Sequence, residues 1–347
     1  MLNDKQIQEI REHLEKAQNP LFFFGNDNDG LCSFLLLQRF FSRGRGVAIK
    51  SFPDLNISYY RKVVELKPDY IFILDKPIVS KDFLEKAKQD NIPVVWIDHH
   101  MGDKIENKEI YYYNPYYNNK NNEPVSYICY KVTNKKEDIW LAIIGCISDC
   151  YLPDFFEEFN EKYPELGKKN PKSAFDLLYS TEIGKIARIL DFSLKDTTTN
   201  VVNMLRFMIR IKGPLDILEE NSKTKQILRR YSQINTKYQE LMNNARKQKG
   251  DKLLYFQYGG QLSLSANLSN QLIYEFPKKI VVVVYLNKDI ANISVRGENA
   301  RKITLEAIKD IGGANGGGHE SATGAKMNVG SVPVFKEKIE KLVKGLQ

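Results

Sequence analysis

Residues 96–103 read WIDHHMGD, so a short apolar run ends in an aspartate and two adjacent histidines, Asp98, His99 and His100, in a chain with only four histidines. Comparable acid-tipped runs recur. PLFFFG leads into Asp27-Asn28-Asp29-Gly30, DYIFILD ends at Asp75, and EDIWLAIIGCISDC delivers Asp149. Each alone is ordinary, because a lone aspartate at a strand end caps a helix or forms a turn. The set is different if these runs are neighbouring parallel strands, whose C-terminal ends converge on one crevice. Five aspartates and two imidazoles gathered there would repel one another and resist desolvation unless cations neutralised them. Carboxylates with imidazole as minority donor and no thiolate favour Mn2+ or Mg2+ over structural Zn2+. More than four ligands, one of them bridging, suits two ions about 3.5 to 4 Å apart, the arrangement that clamps attacking and leaving oxygens in phosphoester hydrolysis.

The elements that must position these residues follow from periodicity. Short apolar runs at 20–25, 46–50, 69–75 and 92–98 alternate with helix-period segments such as SFLLLQRFF, NISYYRKVVEL and KDFLEKAKQ, the pattern of a parallel sheet covered by helices. The tyrosines and asparagines of 111–124 suit a surface loop, an edge strand or a platform on which bases stack. Residues 137–150 read as a buried helix with a polar tip, 155–250 as helical throughout, and 222–248 as one long charged helix broken at Lys249-Gly250-Asp251. A smaller α+β unit follows, with strands at KLLYFQY, KIVVVVYL and IANISVR, helices near NLSNQLIYEF and RKITLEAIKDI, and a glycine cluster. The expected division is 1–195 catalytic, 196–250 helical linker and 251–347 substrate-binding.

Bulk properties narrow the setting. Lys plus Arg number 51 against 43 for Asp plus Glu, a balance that favours anionic partners, although many of the lysines lie in amphipathic helix patterns as solvated faces. Segments such as RGRGVAIK and KQILRRYSQINTK could track a nucleic-acid backbone. No run approaches the ~18 apolar residues of a membrane helix, and MLNDKQIQEI is a charged helix rather than a signal peptide. A cytoplasmic protein with no membrane partner is expected. Cys32, Cys129, Cys146 and Cys150 lack paired spacing and read as reduced thiols.

The ordered set DNDG at 27–30, ILD at 73–75, DHH at 98–100 and GCISD at 145–149 resembles the DHH phosphoesterase superfamily. SVRG at 294–297 and GGGHESATG at 316–324 resemble its associated DHHA1 substrate-binding domain, and the layout is most similar to archaeal RecJ-like exonucleases. The resemblance implies an α/β fold, a parallel-sheet DHH domain joined by a long helix to a smaller α+β DHHA1 domain. It implies hydrolysis of single-stranded DNA or RNA, in repair or replication, by a two-metal mechanism with Mn2+ or Mg2+. Residue by residue it implies that Asp27 and Asp29 each bind one ion, Asp75 bridges both, and His99 and Asp149 complete the second site. His100 would stabilise charge at the scissile phosphate, and Asp98 would hold the histidine loop. Arg296 and His319 would grip phosphate, with Gly316, Gly317 and Gly318 letting the chain approach closely, the substrate lying in a cleft between the lobes.

One departure from the family's pattern concerns the histidine usually found shortly before the first aspartate. Phe23, Gly25 and Asn26 stand there instead, which implies that water or Asn26 fills in and that the first ion binds weakly. Two other functions fit the same motifs. A short-oligonucleotide or cyclic-dinucleotide phosphodiesterase similar to NrnA would differ in substrate length. A weakly active or inactive replisome scaffold binding the GINS complex would draw its support from the absent histidine. Inorganic pyrophosphatases, whose C-terminal domain lacks GGGH, fit poorly.

Overall fold

A computed structural model describes residues 1–51, 54–102, 105 and 109–345. The chain forms two compact units, Met1–Tyr231 and Ser232–Gln347. Their boundary falls inside the long charged helix, Lys225–Arg246, and within the segment 196–250.

In the first unit the four expected runs are strands: β1 (Pro20–Gly25), β2 (Arg45–Ile49), β3 (Tyr70–Leu74) and β4 (Val94–Ile97). The tyrosine stretch contributes a fifth, β5 (Ile110–Tyr113). All pair in parallel in the order β2–β1–β3–β4–β5. The runs are apolar at every position because both faces of a parallel sheet are covered. Alternate side chains serve the two faces. Phe22, Phe24, Phe72, Leu74, Val95 and Ile97 join the core built with helices α1 (Asp4–Lys16), α2 (Asn28–Phe41), α5 (Val125–Thr133) and α6 (Ile139–Ser148). Leu21, Phe23, Ile71, Ile73, Val94 and Trp96 face α3 (Tyr60–Leu66) and α4 (Lys81–Gln89). Helices α7 (Phe156–Lys162), α8 (Ala174–Ser180), α9 (Glu182–Leu194) and α10 (Thr198–Met208) complete the helical side, and Lys225–Arg246 is α11. Two short runs, Asp54–Leu55 and Ile78–Val79, form a separate parallel pair that the periodicity did not mark.

Strand order reverses direction at β1, which has β2 on one side and β3 on the other. Such a switch point opens a crevice beyond the strand ends. The segments leaving β1 and β3 are those that carry Asp27 and Asp75.

The second unit contains β6 (Leu253–Gly259), β7 (Ile280–Asn287), β8 (Ile290–Arg296), β9 (Asn315–His319) and β10 (Ala322–Asn328). Helices α12 (Ser265–Glu275), α13 (Ala300–Ile308) and α14 (Val332–Lys344) cover this mixed sheet, ordered β9–β10–β8–β7–β6. The glycine cluster is an edge strand rather than a loop. Glycine has little strand preference of its own, so β9 depends on its pairing with β10, Gly316 opposite Ala325 and Gly317 opposite Gly324.

One buried ion pair ties the first unit's helices together. Arg39, on α2, donates from Nε to Asp138 Oδ1 at 2.9 Å and from Nη1 to the carbonyls of Met208 at 2.8 Å and Ile211 at 2.9 Å. Asp138 is fully buried. Removing the guanidinium would leave that buried carboxylate with only the partly exposed Lys135, at 3.2 Å from its other oxygen, and would free three carbonyls, so Arg39→Met is expected to lower unfolding free energy by about 3 kcal/mol in urea titrations. Stability within about 1 kcal/mol of the parent would contradict this role.

Candidate metal centre

The site is built where β1, β3 and β4 run out. Asp27 leaves β1 in extended conformation and caps α2, its Oδ1 accepting from the Gly30 amide at 3.0 Å. Asp29 lies in the first turn of α2 and is 1% exposed. Its carboxylate accepts from the amides of Val125 and Ser126, each at 2.8 Å, and from the Ser126 hydroxyl. The N-terminus of α5 thus faces an acid, the favoured sign for a helix dipole. Asp75 follows β3 in left-handed backbone, φ +57°, with its amide donating to Ile97 carbonyl at 3.0 Å. Asp149 ends α6.

The histidine pair is oriented by this frame. His99 is 2% exposed, with Nε2 3.3 Å from Asp149 Oδ2 and 3.5 Å from Asp75 Oδ1. His100 sets Nδ1 2.8 Å from Asp98 Oδ1 and 3.9 Å from Asp75. Asp98 is itself fixed through its amide to Tyr113 carbonyl at 3.0 Å. The structure therefore brings Asp27, Asp29, Asp75, Asp98, His99, His100 and Asp149 into one pocket. Ligand atoms of Asp29, His99 and Asp149 lie within 4.8 Å of one another, and so do those of Asp75, Asp98 and His100.

Several supporting residues were not anticipated. Ser126 holds Asp29, and Gly145, which opens the GCISD run, is bare because a Cβ there would collide with the Ser126 hydroxyl. Asn28 donates to Ser148 Oγ at 2.9 Å and Ala187 carbonyl at 2.8 Å, coupling the first aspartates to the end of α6. Asn114 donates to His100 carbonyl at 2.9 Å, and Tyr117 to Gly102 carbonyl at 2.9 Å, so the tyrosine stretch steadies the histidine loop. Asn114-Pro115, a turn pair following an apolar run, was the available sequence signal.

The electrostatics are those of like charges held close together. Asp29 is pushed up to about 7 by loss of hydration, then by Asp75 and Asp149, against the opposing pull of His99 and Ser126. Asp27 is raised well above the usual range by loss of hydration and by Asp75 and Asp149. Its outer edge stays in solvent, so repulsion is the firmer of these causes. Asp149, although its residue is exposed, is raised by loss of hydration on its inner side and by Asp75, against the pull of His99. Burial works against Asp75 too, but hydrogen bonding to His99 and the charges of both histidines hold it below the usual range. His99 is raised in spite of burial by Asp75, Asp149 and Asp29, and His100 by Asp98. Without metal, the cluster is tolerated by retaining protons.

These residues fit hard divalent ions. Carboxylates with one buried imidazole suit Mn2+ or Mg2+, and Asn26 contributes a buried side-chain oxygen with no hydrogen-bond partner among the described residues. Gly25, one of the three residues that stand where the family's histidine is usually found, is sterically enforced: a Cβ would lie 2.5 Å from Asp75 Oδ2 and 2.8 Å from Asp75 carbonyl oxygen.

In the second unit, Arg296 ends β8 and His319 ends β9. Both register with Ala322 of β10, so they share one cross-strand row about 10 Å long. Arg296 donates from Nε to Asn270 Oδ1 at 2.6 Å and from Nη1 to the carbonyls of Val295 at 2.9 Å and Thr323 at 3.0 Å. Gly316, Gly317 and Gly318 lie along β9, and Gly318 takes φ +134°, open to glycine and little else.

Residues 23–150 match the DHH family, N-terminal domain, and residues 250–345 match the DHHA1 domain. The chain belongs to the DHH/DHHA1 family. Its fold is RecJ-like. It is similar to RecJ in complex with Mn2+ from Thermus thermophilus, with TM-score 0.71 and 14% identity over 100% of this chain and 56% of that one. It is also similar to an exonuclease RecJ bound to manganese, with TM-score 0.67 and 15% identity over 100% of this chain and 96% of that one. A third likeness is to the pGpG-specific phosphodiesterase PggH from Vibrio cholerae, with TM-score 0.52 and 12% identity over 94% of this chain and 99% of that one. The chain thus spans little more than half the length of the Thermus RecJ. No curated protein sequence matches it.

A carboxyl whose value is raised on folding stabilises the metal-free protein at low pH, and that contribution is lost as pH rises through the folded value, about 7 for Asp29. Metal must displace the same protons. The Mn2+-induced rise in melting temperature should therefore be larger at about pH 8 than at about pH 6, either side of that value, with proton release detectable in weakly buffered solution. An equal rise at both pH values would contradict this picture.

Proposed function

We propose that the chain is a metal-dependent phosphodiesterase that hydrolyses single-stranded DNA or RNA from an end, as a RecJ-like exonuclease. The observation that carries the reading is the convergence of acids and imidazoles from three strand ends and one helix end on a switch-point crevice, charged so that it calls for divalent cations. Asp27, Asp29, Asp75, His99 and Asp149 would hold two ions, Asp75 shared between them. When bound, such ions polarise the phosphoryl group and make water nucleophilic near neutral pH.

The chain's own residues do the rest. Asp98 engages His100 Nδ1, which orients the ring and favours its protonated form. From there His100 Nε2 would donate a hydrogen bond to the scissile phosphate and a proton to the departing oxygen. Arg296 would hold a phosphate of the substrate, its plane set by Asn270, Val295 and Thr323, with His319 further along the same row. The bare backbone of Gly316, Gly317 and Gly318 would admit the substrate chain closely. The nucleic-acid setting also leaves room for replisome partners such as GINS. Among the described residues no helix is long and apolar enough to cross a membrane.

The likeness to PggH supports a second reading, a phosphodiesterase for short oligonucleotides or cyclic dinucleotides. Length separates the two. With Mn2+, an end-labelled strand of ~20 nucleotides, longer than one binding module covers, should be shortened progressively. Cleavage confined to two to four nucleotides would favour the second reading. No product at any Mn2+ or Mg2+ concentration, with GINS binding retained, would leave a scaffold. Asp75→Ala should reduce cleavage on the order of 10³-fold or more while far-UV circular dichroism is unchanged; surviving activity would refute the bridging role.

Arg296 gives an independent test. Asn270→Ala should raise KM about 10-fold with a smaller change in kcat, because the guanidinium loses its orienting acceptor, and Asn270→Asp should restore much of the loss. A change confined to kcat would place Asn270 elsewhere in the scheme.

A further inference from the structure

The tyrosine stretch holds rings beside the metal centre that the chemistry above does not use. Beyond β5 the chain turns at Asn114-Pro115 and makes a single helical turn, Tyr116–Asn119. Both ends of that turn are fixed. Asn114 Oδ1 accepts from the Tyr116 amide at 2.9 Å, and Asn118 donates from Nδ2 to Gln6 Oε1 at 2.7 Å. The side chains of Tyr116 and Tyr117 are nevertheless left partly exposed.

These rings end a ladder that starts in the core. Trp96, 1% exposed on β4, meets Tyr112 edge-on with centroids 4.8 Å apart. Tyr112 lies 6.1 Å from Tyr117, and Tyr117 lies 5.8 Å from Tyr116 at an interplanar angle of 80°. The outer end of the ladder borders the histidine loop. Tyr117 donates its hydroxyl to the Gly102 carbonyl at 2.9 Å, two residues beyond His100. Asn114 divides its amide between the His100 carbonyl and the Tyr112 hydroxyl, each at 2.9 Å, so one side chain sets both the imidazole loop and the ladder.

A partly exposed ring held in place offers a flat apolar face at little cost in side-chain entropy. The ligand that suits it is a nucleobase, because every base has a face that stacks on tyrosine whatever the sequence. Bases inside a duplex have those faces covered by their neighbours, and only an unpaired base reaches the ring without a cost in unstacking.

Resting on the nuclease reading above, we propose that Tyr116 and Tyr117 form a base-stacking surface for the nucleotide beside the scissile phosphate. The metal centre and His100 then engage the phosphate while the ring holds its base, and single strands are preferred because their bases are free to stack.

The test uses the full chain with Mn2+ and strands of ~20 nucleotides whose attacked end carries either ordinary bases or abasic residues. The parent should show a KM about ten-fold higher for the abasic end. Tyr117→Leu should raise KM for the ordinary end by a similar factor and change the abasic end little, so that the preference disappears, and Tyr116→Leu repeats the test if Tyr117→Leu folds poorly. Tyr117→Phe, which keeps the ring and loses the bond to Gly102, should retain the preference. Equal KM for the two ends in the parent, or a preference that survives both leucine variants, would overturn the proposal. So would a loss in kcat shared by both strands and reproduced by Tyr117→Phe, the mark of a tyrosine that only supports the histidine loop. A parent that cleaves neither strand would overturn the nuclease reading itself.

Discussion

Like charges confined at a switch point govern this molecule. Asp27, Asp29, Asp75 and Asp149 are brought together by strands and a helix whose apolar residues leave them nowhere else to go. The resulting repulsion is visible in their raised affinity for protons, Asp75 excepted, because a hydrogen bond to His99 and the proximity of both histidines favour its charged form. A fold that concentrates negative charge in this way is destabilised by it, and divalent ions relieve it while supplying the chemistry of phosphoester hydrolysis.

The scaffold explains why the cluster persists. Parallel strands buried on both faces fix the ends from which Asp75 and Asp98 emerge, and the α5 N-terminus meets Asp29 with two amides and a hydroxyl. Gly145 and Gly25 are small for opposite reasons: one makes room for the serine that holds Asp29, the other for the carboxyl of Asp75. In the second unit the same economy of side chains produces β9, where three glycines leave backbone exposed beside the Arg296–Ala322–His319 row.

Much of this was legible in the sequence because it depends on local pattern. Continuous apolar runs mark buried strands, and the acids that tip them mark the crevice. The motif residues of the first unit lie together as the resemblance implied, although their roles as ligands remain proposals. What was not legible depends on contacts between distant segments. Ser126 and Asn28 are unremarkable in sequence and matter through partners 97 and 120 residues away. The glycine strand was hidden because glycine carries no strand preference, so its conformation is imposed by β10. The edge strand at 110–113 was one of several readings of a tyrosine-rich stretch, and pairing with β4 selected it.

The central claim is that this pocket exists to hold divalent cations. Anomalous diffraction from crystals soaked in Mn2+ tests it most directly. The account predicts strong anomalous density bounded by Asp29, Asp75, His99 and Asp149, with a weaker second peak beside Asp27. Density only at surface carboxylates, with the pocket empty under saturating Mn2+, would contradict it.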